Sequence, residues 1–239
     1  MPSKLKTDRM KQTLDYIIFD ADDTLWINEP FFRETEQQLC ELLSEYADQE
    51  ECLRTLYEKE MQNLAIYGFG IKGFMLSMIE TGLQLSNNQI TAGCIEQILL
   101  LGKEQLTHPV ELLEGVKDTL KELSQHYRLV LATKGDLLDQ ERKLQLSGLT
   151  EYFDHIEIMS DKTDIAYRKL FTTLNAQPEN VMMVGNSMKS DILPILKLGG
   201  KAVYIPFYTT WVHEVVNEEV EHPNLKTVES IREITQILL

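Results

Sequence analysis

Three carboxylates stand at the end of an apolar run, in Phe19-Asp20-Ala21-Asp22-Asp23-Thr24-Leu25. Asp191 follows another apolar run, after Val184-Gly185-Asn186-Ser187. Carboxylates brought to one place repel each other unless a cation sits among them. Asp20 and Asp191 are hard oxygen donors of the kind that suit Mg²⁺ with retained waters. A carboxylate can also act as a nucleophile and form an aspartyl-phosphate, and Asp20 is the candidate. Asp22, two residues on, is placed to protonate a leaving oxygen and later to activate water. Phosphoryl transfer needs mainly alignment and charge neutralisation. A hydroxyl at Thr133, an ammonium at Lys162 and a metal ion would supply both.

These groups can meet only if the fold brings them to one edge. Residues 16–19, 129–132, 181–184 and 202–205 form short apolar runs that read as buried parallel strands, and 156–159 is a weaker fifth. Helical patterns at 115–123, 137–146, 167–174 and 192–198 lie between or after them. The alternation implies a doubly wound, Rossmann-like α/β sheet. In such sheets ligands bind beyond the carboxyl ends of the strands. Asp20, Thr133 and Asn186 all lie at such ends, and Lys162 is in the loop after the weaker strand. Residues 30–106 differ, with no strand pattern and amphipathic helices expected at 31–46, 50–65, 72–81 and 88–106. Pro30 suits a first helical turn, and the glycines of Tyr67-Gly68-Phe69-Gly70 interrupt the series. The expected division is a core of residues 1–26 and 108–239 with a helical insertion at 27–107.

Composition narrows the partners. The 23 basic and 38 acidic residues give a net charge of −15, which repels nucleic acid and anionic lipid. Cationic groups must therefore be concentrated wherever an anionic substrate binds. Apolar residues, at 43%, suffice for a real core. Cys40, Cys52 and Cys94 include no CxxC pair, so neither a disulfide framework nor a zinc site is expected. The start, Met-Pro-Ser-Lys-Leu-Lys, does not read as a secretory signal, and no run is long enough to span a membrane. A reducing cytoplasm is the expected setting. Nothing in the sequence fixes an oligomeric state.

In their order along the chain these motifs resemble the haloacid dehalogenase superfamily, in its phosphatase branch. Ile-Ile-Phe-Asp20-Ala-Asp22-Asp-Thr24-Leu resembles its DxDxT motif, and Leu-Ala-Thr133 its strand ending in Thr or Ser. Lys162 matches the third motif by position, and Gly185-Asn186-Ser-Met-Lys-Ser-Asp191 resembles GDxxxxD. The resemblance implies that Asp20 is nucleophile and metal ligand. Asp22 would be the acid/base and lend its backbone carbonyl to Mg²⁺. Thr133 and Lys162 would hold phosphoryl oxygens, and Asp191 would complete the metal site. The helical insertion resembles a subclass I cap, which closes over the site and selects the leaving group. A small phosphorylated metabolite is the implied substrate. A phosphomutase, or a weakly catalytic binding protein on the same scaffold, shares these motifs.

The chain departs from that pattern at Asn186, where the family has aspartate: an oxygen ligand is kept and a charge is lost. Thr163 replaces a common proline after Lys162. Lys134, next to Thr133, is a further candidate for contact with the substrate phosphate. Asp23 reads as structural, Trp26 and Met182-Met183 as packing, and Glu218, Glu219 and Glu221 as a solvated face.

Overall fold

Strands at the first apolar runs form because each run places its side chains alternately into two buried layers. The structure is a computed structural model that describes residues 14–239, so the basic start of the chain lies outside it. The strands are β1 (Tyr16–Phe19), β2 (Arg128–Lys134), β3 (His155–Met159), β4 (Val181–Gly185), β5 (Lys201–Tyr204) and β6 (Leu225–Thr227). They form one sheet in the order β3-β2-β1-β4-β5-β6. The registers are parallel, with Phe19 beside both Leu131 and Val184. The chain starts in the middle, winds out to β3, then crosses back to β4. The topological switch therefore lies between β1 and β4, where such sheets place their ligands.

Ile17, Phe19, Leu129, Leu131, Met182 and Val184 share one core layer. It is covered by α5 (Val116–Leu123) and α9 (Glu233–Leu238), through Val116, Leu120, Leu123, Ile234 and Ile237. Tyr16, Ile18, Val130, Ala132, Val181 and Met183 face the other layer. There they meet α7 (Asp164–Leu174) and α8 (Leu193–Leu198) through Tyr167, Leu170, Phe171 and Ile195. Adjacent Met182 and Met183 thus pack on opposite faces, as the period of two requires.

Contacts divide the chain into two compact units. One holds residues 14–29, Val110–Thr133 and Lys143–Leu239, and the other Pro30–Pro109 and Lys134–Arg142. The second is built from α1 (Glu29–Leu42), α2 (Gln49–Tyr67), α3 (Ile71–Leu85) and α4 (Ala92–Thr107). Leu39, Leu43, Cys52, Leu56, Phe74, Met78 and Ile98 form its core. Asp48 and Thr91 cap α2 and α4 by accepting from Glu51 N–H and Cys94 N–H. The last of these helices starts at Ala92 and not at 88, because Asn87 and Asn88 sit at φ of 52° and 61°, which breaks a helix. The first begins at Glu29 with Pro30 in its opening turn, and ends at Leu42 instead of 46. The loop after β2 joins this unit through Asp136, which accepts Lys72 N–H at 3.0 Å beside Gly70. Lys134 Nζ lies 4.2 Å from the Phe69 ring centroid. Tyr67 is exposed.

Candidate active site

The loop after β1 is wound tightly around Ala21. Its carbonyl accepts the N–H groups of Thr24, Leu25 and Trp26 at 3.2, 2.8 and 3.3 Å. This winding requires a left-handed residue, and Asp23 supplies it at φ 61°. Asp23 Oδ1 and Oδ2 accept from Asn28 N–H and Glu29 N–H at 2.8 to 3.1 Å, fixing the entry into α1. Burial pushes the Asp23 acid up to about 8, against the pull of those two N–H donors. Its part is structural. Asp23→Ala is expected to destabilise the protein by about 1–3 kcal/mol, since two buried donors lose their acceptor. A urea midpoint unchanged from the parent would contradict this.

Asp20 is buried at the tip of β1, and its N–H extends the ladder to Val184 O at 2.9 Å. Asp20 Oδ2 accepts from Thr24 Oγ1 at 2.9 Å, and Oδ1 pairs with Lys162 Nζ. Lys162 Nζ also donates to Asp191 Oδ1 at 2.7 Å, so one buried ammonium joins two carboxylates. At an effective dielectric near 20, each such contact is about 6 kcal/mol of attraction. Two of them offset the several kcal/mol needed to dehydrate an ammonium. Burial works against the charge of Lys162, but Asp191 and Asp20 outweigh it and hold its proton well above the ordinary lysine range. Burial, and then Asp191, push the Asp20 acid up, and Lys162 opposes them.

Asp191 sits on a π-helical turn, Met188–Ile192, that leads into α8. Its Oδ2 accepts Ser187 N–H at 2.9 Å. Gly185 is required here, because a Cβ at that position would collide with the Asp191 carboxylate. The turn is braced by Glu214, a buried carboxylate that accepts from Ser187 Oγ and, at 2.6 Å, from Ser190 Oγ. His213, beside it, meets Trp211 and Lys189. A pocket of about 410 Å³ lies beside Lys162, lined also by Lys189, His213 and Glu214. Neither Asp20 nor Thr133 lines it.

The Asn186 amide points at Asp20 Oδ2, Asp22 O and Thr24 Oγ1. Turned so that its nitrogen faces them, it donates at 3.1, 3.2 and 3.2 Å. Rotated the other way, it presents a third oxygen beside the Asp20 carboxylate and the Asp22 carbonyl. Three convergent hard oxygens are a donor set that fits Mg²⁺, with one charge fewer than an aspartate would bring. Among the described residues no group of three or more His, Cys, Asp or Glu is arranged for a metal. A metal here would therefore depend on the carbonyl and amide oxygens. Asp191 is engaged by Lys162 and Ser187.

Asp22 Oδ1 accepts from Trp26 Nε1 at 2.6 Å and from Lys143 Nζ at 2.7 Å. Lys143 lies on α6 (Leu137–Ser147) and also donates to Asn28 Oδ1 at 2.9 Å. Thr133 is buried near the end of β2, two residues past the partner of Phe19. Lys134 is one residue further and is seated over Phe69. Sequence reasoning missed Lys143 and Glu214. The signal for Lys143 was its place on the inward stripe of its helix, with Gln140 and Leu144, both buried. Glu214 carried no signal, because its helical turn is only Val212–Glu214.

The family described as haloacid dehalogenase-like hydrolase matches residues 14–199. A solved haloacid dehalogenase-like family hydrolase from Xanthomonas campestris shares 34% identity at a TM-score of 0.85, covering 94% of this chain and 92% of that one. Human N-acylneuraminate-9-phosphatase is 28% identical over 50% of this chain and 48% of its own length. The match thus spans about half the length of that relative. The Escherichia coli phosphatase YigB, named for 5-amino-6-(5-phospho-D-ribitylamino)uracil, is 23% identical over 79% of this chain and 82% of its own. With the motifs in order, the sheet topology and the extent of these matches, the chain belongs to the haloacid dehalogenase-like hydrolase family.

Proposed function

We propose that this protein is a Mg²⁺-dependent phosphomonoester hydrolase that acts on a small phosphorylated metabolite through an aspartyl-phosphate. The observation that carries the reading is the buried Asp20, held at the β1 tip by Lys162 and Thr24 beside a convergent oxygen set. Two of the similar proteins are named phosphatases. Asp20 attacks phosphorus, and the bond to the leaving oxygen breaks. Asp22 gives that oxygen a proton, then takes one from the water that attacks the acyl phosphate. The Asp20 carboxylate is regenerated and inorganic phosphate leaves. Thr133 and Lys162 hold the phosphoryl oxygens, with Lys134 an auxiliary contact. Asp20, the Asp22 carbonyl and Asn186 would hold Mg²⁺, with Asp191 adding negative charge. The bound ion would neutralise charge on the transferring group.

The helical segment at 27–107 is the proposed cap that governs access. Free Cys40, Cys52 and Cys94 suit a reducing cytoplasm, and among the described residues no helix is long and apolar enough to cross a membrane. Phosphate release from p-nitrophenyl phosphate and a panel of metabolite phosphates tests the reading. EDTA is expected to silence release and Mg²⁺ to restore it. Undiminished release in EDTA would remove the metal from the mechanism, and no release from any compound would count against the phosphatase itself.

A further inference from the structure

We propose that Lys143 is the positioning residue for Asp22: its ammonium and the Trp26 indole together lock the carboxylate that transfers the proton. The inference rests on the acid/base reading of Asp22 above. Three carboxylates crowd the loop after β1, and each has its own donors. Asp20 has Lys162 and Thr24. Asp23 has the N–H groups of Asn28 and Glu29. Asp22 has Trp26 and Lys143.

Lysine is rarely buried unless paired, and the Lys143 side chain is only 11% exposed. It comes from a helix more than a hundred positions away in the chain and reaches two residues of this one loop, Asp22 and Asn28. Trp26 is itself buried, and its backbone pairs with Asp22 and Leu112, so the indole is a fixed donor. Two fixed donors on one oxygen define the carboxylate torsions. They also decide which oxygen works. Oδ1 cannot take up a proton without losing a donor, so the proton carried between leaving group and water resides on Oδ2. An acid/base group held this way contributes fully, because misalignment of proton donor and acceptor is what general catalysis tolerates least.

Leaving-group chemistry separates positioning from packing. An alkoxide needs a proton to depart, whereas p-nitrophenolate departs as a stable anion. In Lys143→Met, kcat for an alkyl phosphate is expected to fall about 10- to 100-fold at nearly constant KM. The first-turnover burst of p-nitrophenolate should persist while later turnovers slow, because dephosphorylation still needs Asp22 as base. Lys143→Arg, which restores a cation, should recover most of the loss. The chain has two tryptophans, Trp26 and Trp211. In ¹⁵N-labelled protein the Trp26 indole N–H resonance, assigned with Trp211→Phe, should therefore shift in Lys143→Met. Equal loss on both substrates and of the burst, or an unmoved indole signal with unaltered kinetics, would overturn the proposal. If Lys143→Met does not fold, Lys143→Gln is read in the same way. Full activity in Asp22→Asn would instead overturn the acid/base reading itself, whatever Lys143 does, so the two failures are distinct.

Discussion

Asp20→Asn is expected to lower kcat by about 10⁴-fold or more while the protein stays folded. The amide has nearly the shape of the carboxylate and keeps an oxygen for Thr24 or Lys162. It has no nucleophilic oxygen able to form the acyl phosphate. Lys162 keeps its second partner, Asp191, at 2.7 Å, so no buried charge is orphaned. One of two neighbouring buried carboxylates is removed, so the repulsion between Asp20 and Asp191 disappears. Thermal stability should therefore hold or rise, even as phosphate release collapses. A variant with turnover within about tenfold of the parent would remove Asp20 from the covalent role.

Lys162→Met is expected to damage both fold and activity. The change removes the cation that Asp20 and Asp191 share and leaves two buried carboxylates facing each other. Breaking a buried pair in this way destabilises by about 3–5 kcal/mol. That is a large part of the about 5–15 kcal/mol that stabilises a typical domain. In the proposed role Lys162 binds the phosphoryl oxygens, so its loss should lower kcat by about 10²–10³-fold in the fraction that folds. Denaturant unfolding and phosphate release read the two effects separately. Unchanged stability would show that the carboxylates have another counter-charge. Unchanged kcat would remove Lys162 from the phosphate site. The contrast with Asp20→Asn is the informative part: one variant loses chemistry alone, and the other loses chemistry and stability together.

The four strong apolar runs became strands almost where they were expected, because each is buried on both faces and its composition alone demands it. The weaker run became β3. β6, Leu-Lys-Thr, was missed because two half-buried residues and one exposed residue carry no pattern, and it pairs with the edge that β5 offers. The short α9 was missed for a similar reason: its Ile234, Ile237 and Leu238 become a core face only against α5 and the sheet.

The types and order of Asp20, Asp22, Thr133, Lys162 and Asp191 were legible from the sequence, since strand ends and family motifs are local features. Their partnerships were not. That Lys162 joins Asp20 to Asp191, that Lys143 holds Asp22, and that Glu214 braces the turn of Asp191 are all long-range facts. A charged residue looks the same in sequence whether water or another side chain surrounds it. Only tertiary packing removes the water, and removal of water turns nearby charges into strong, directional partners.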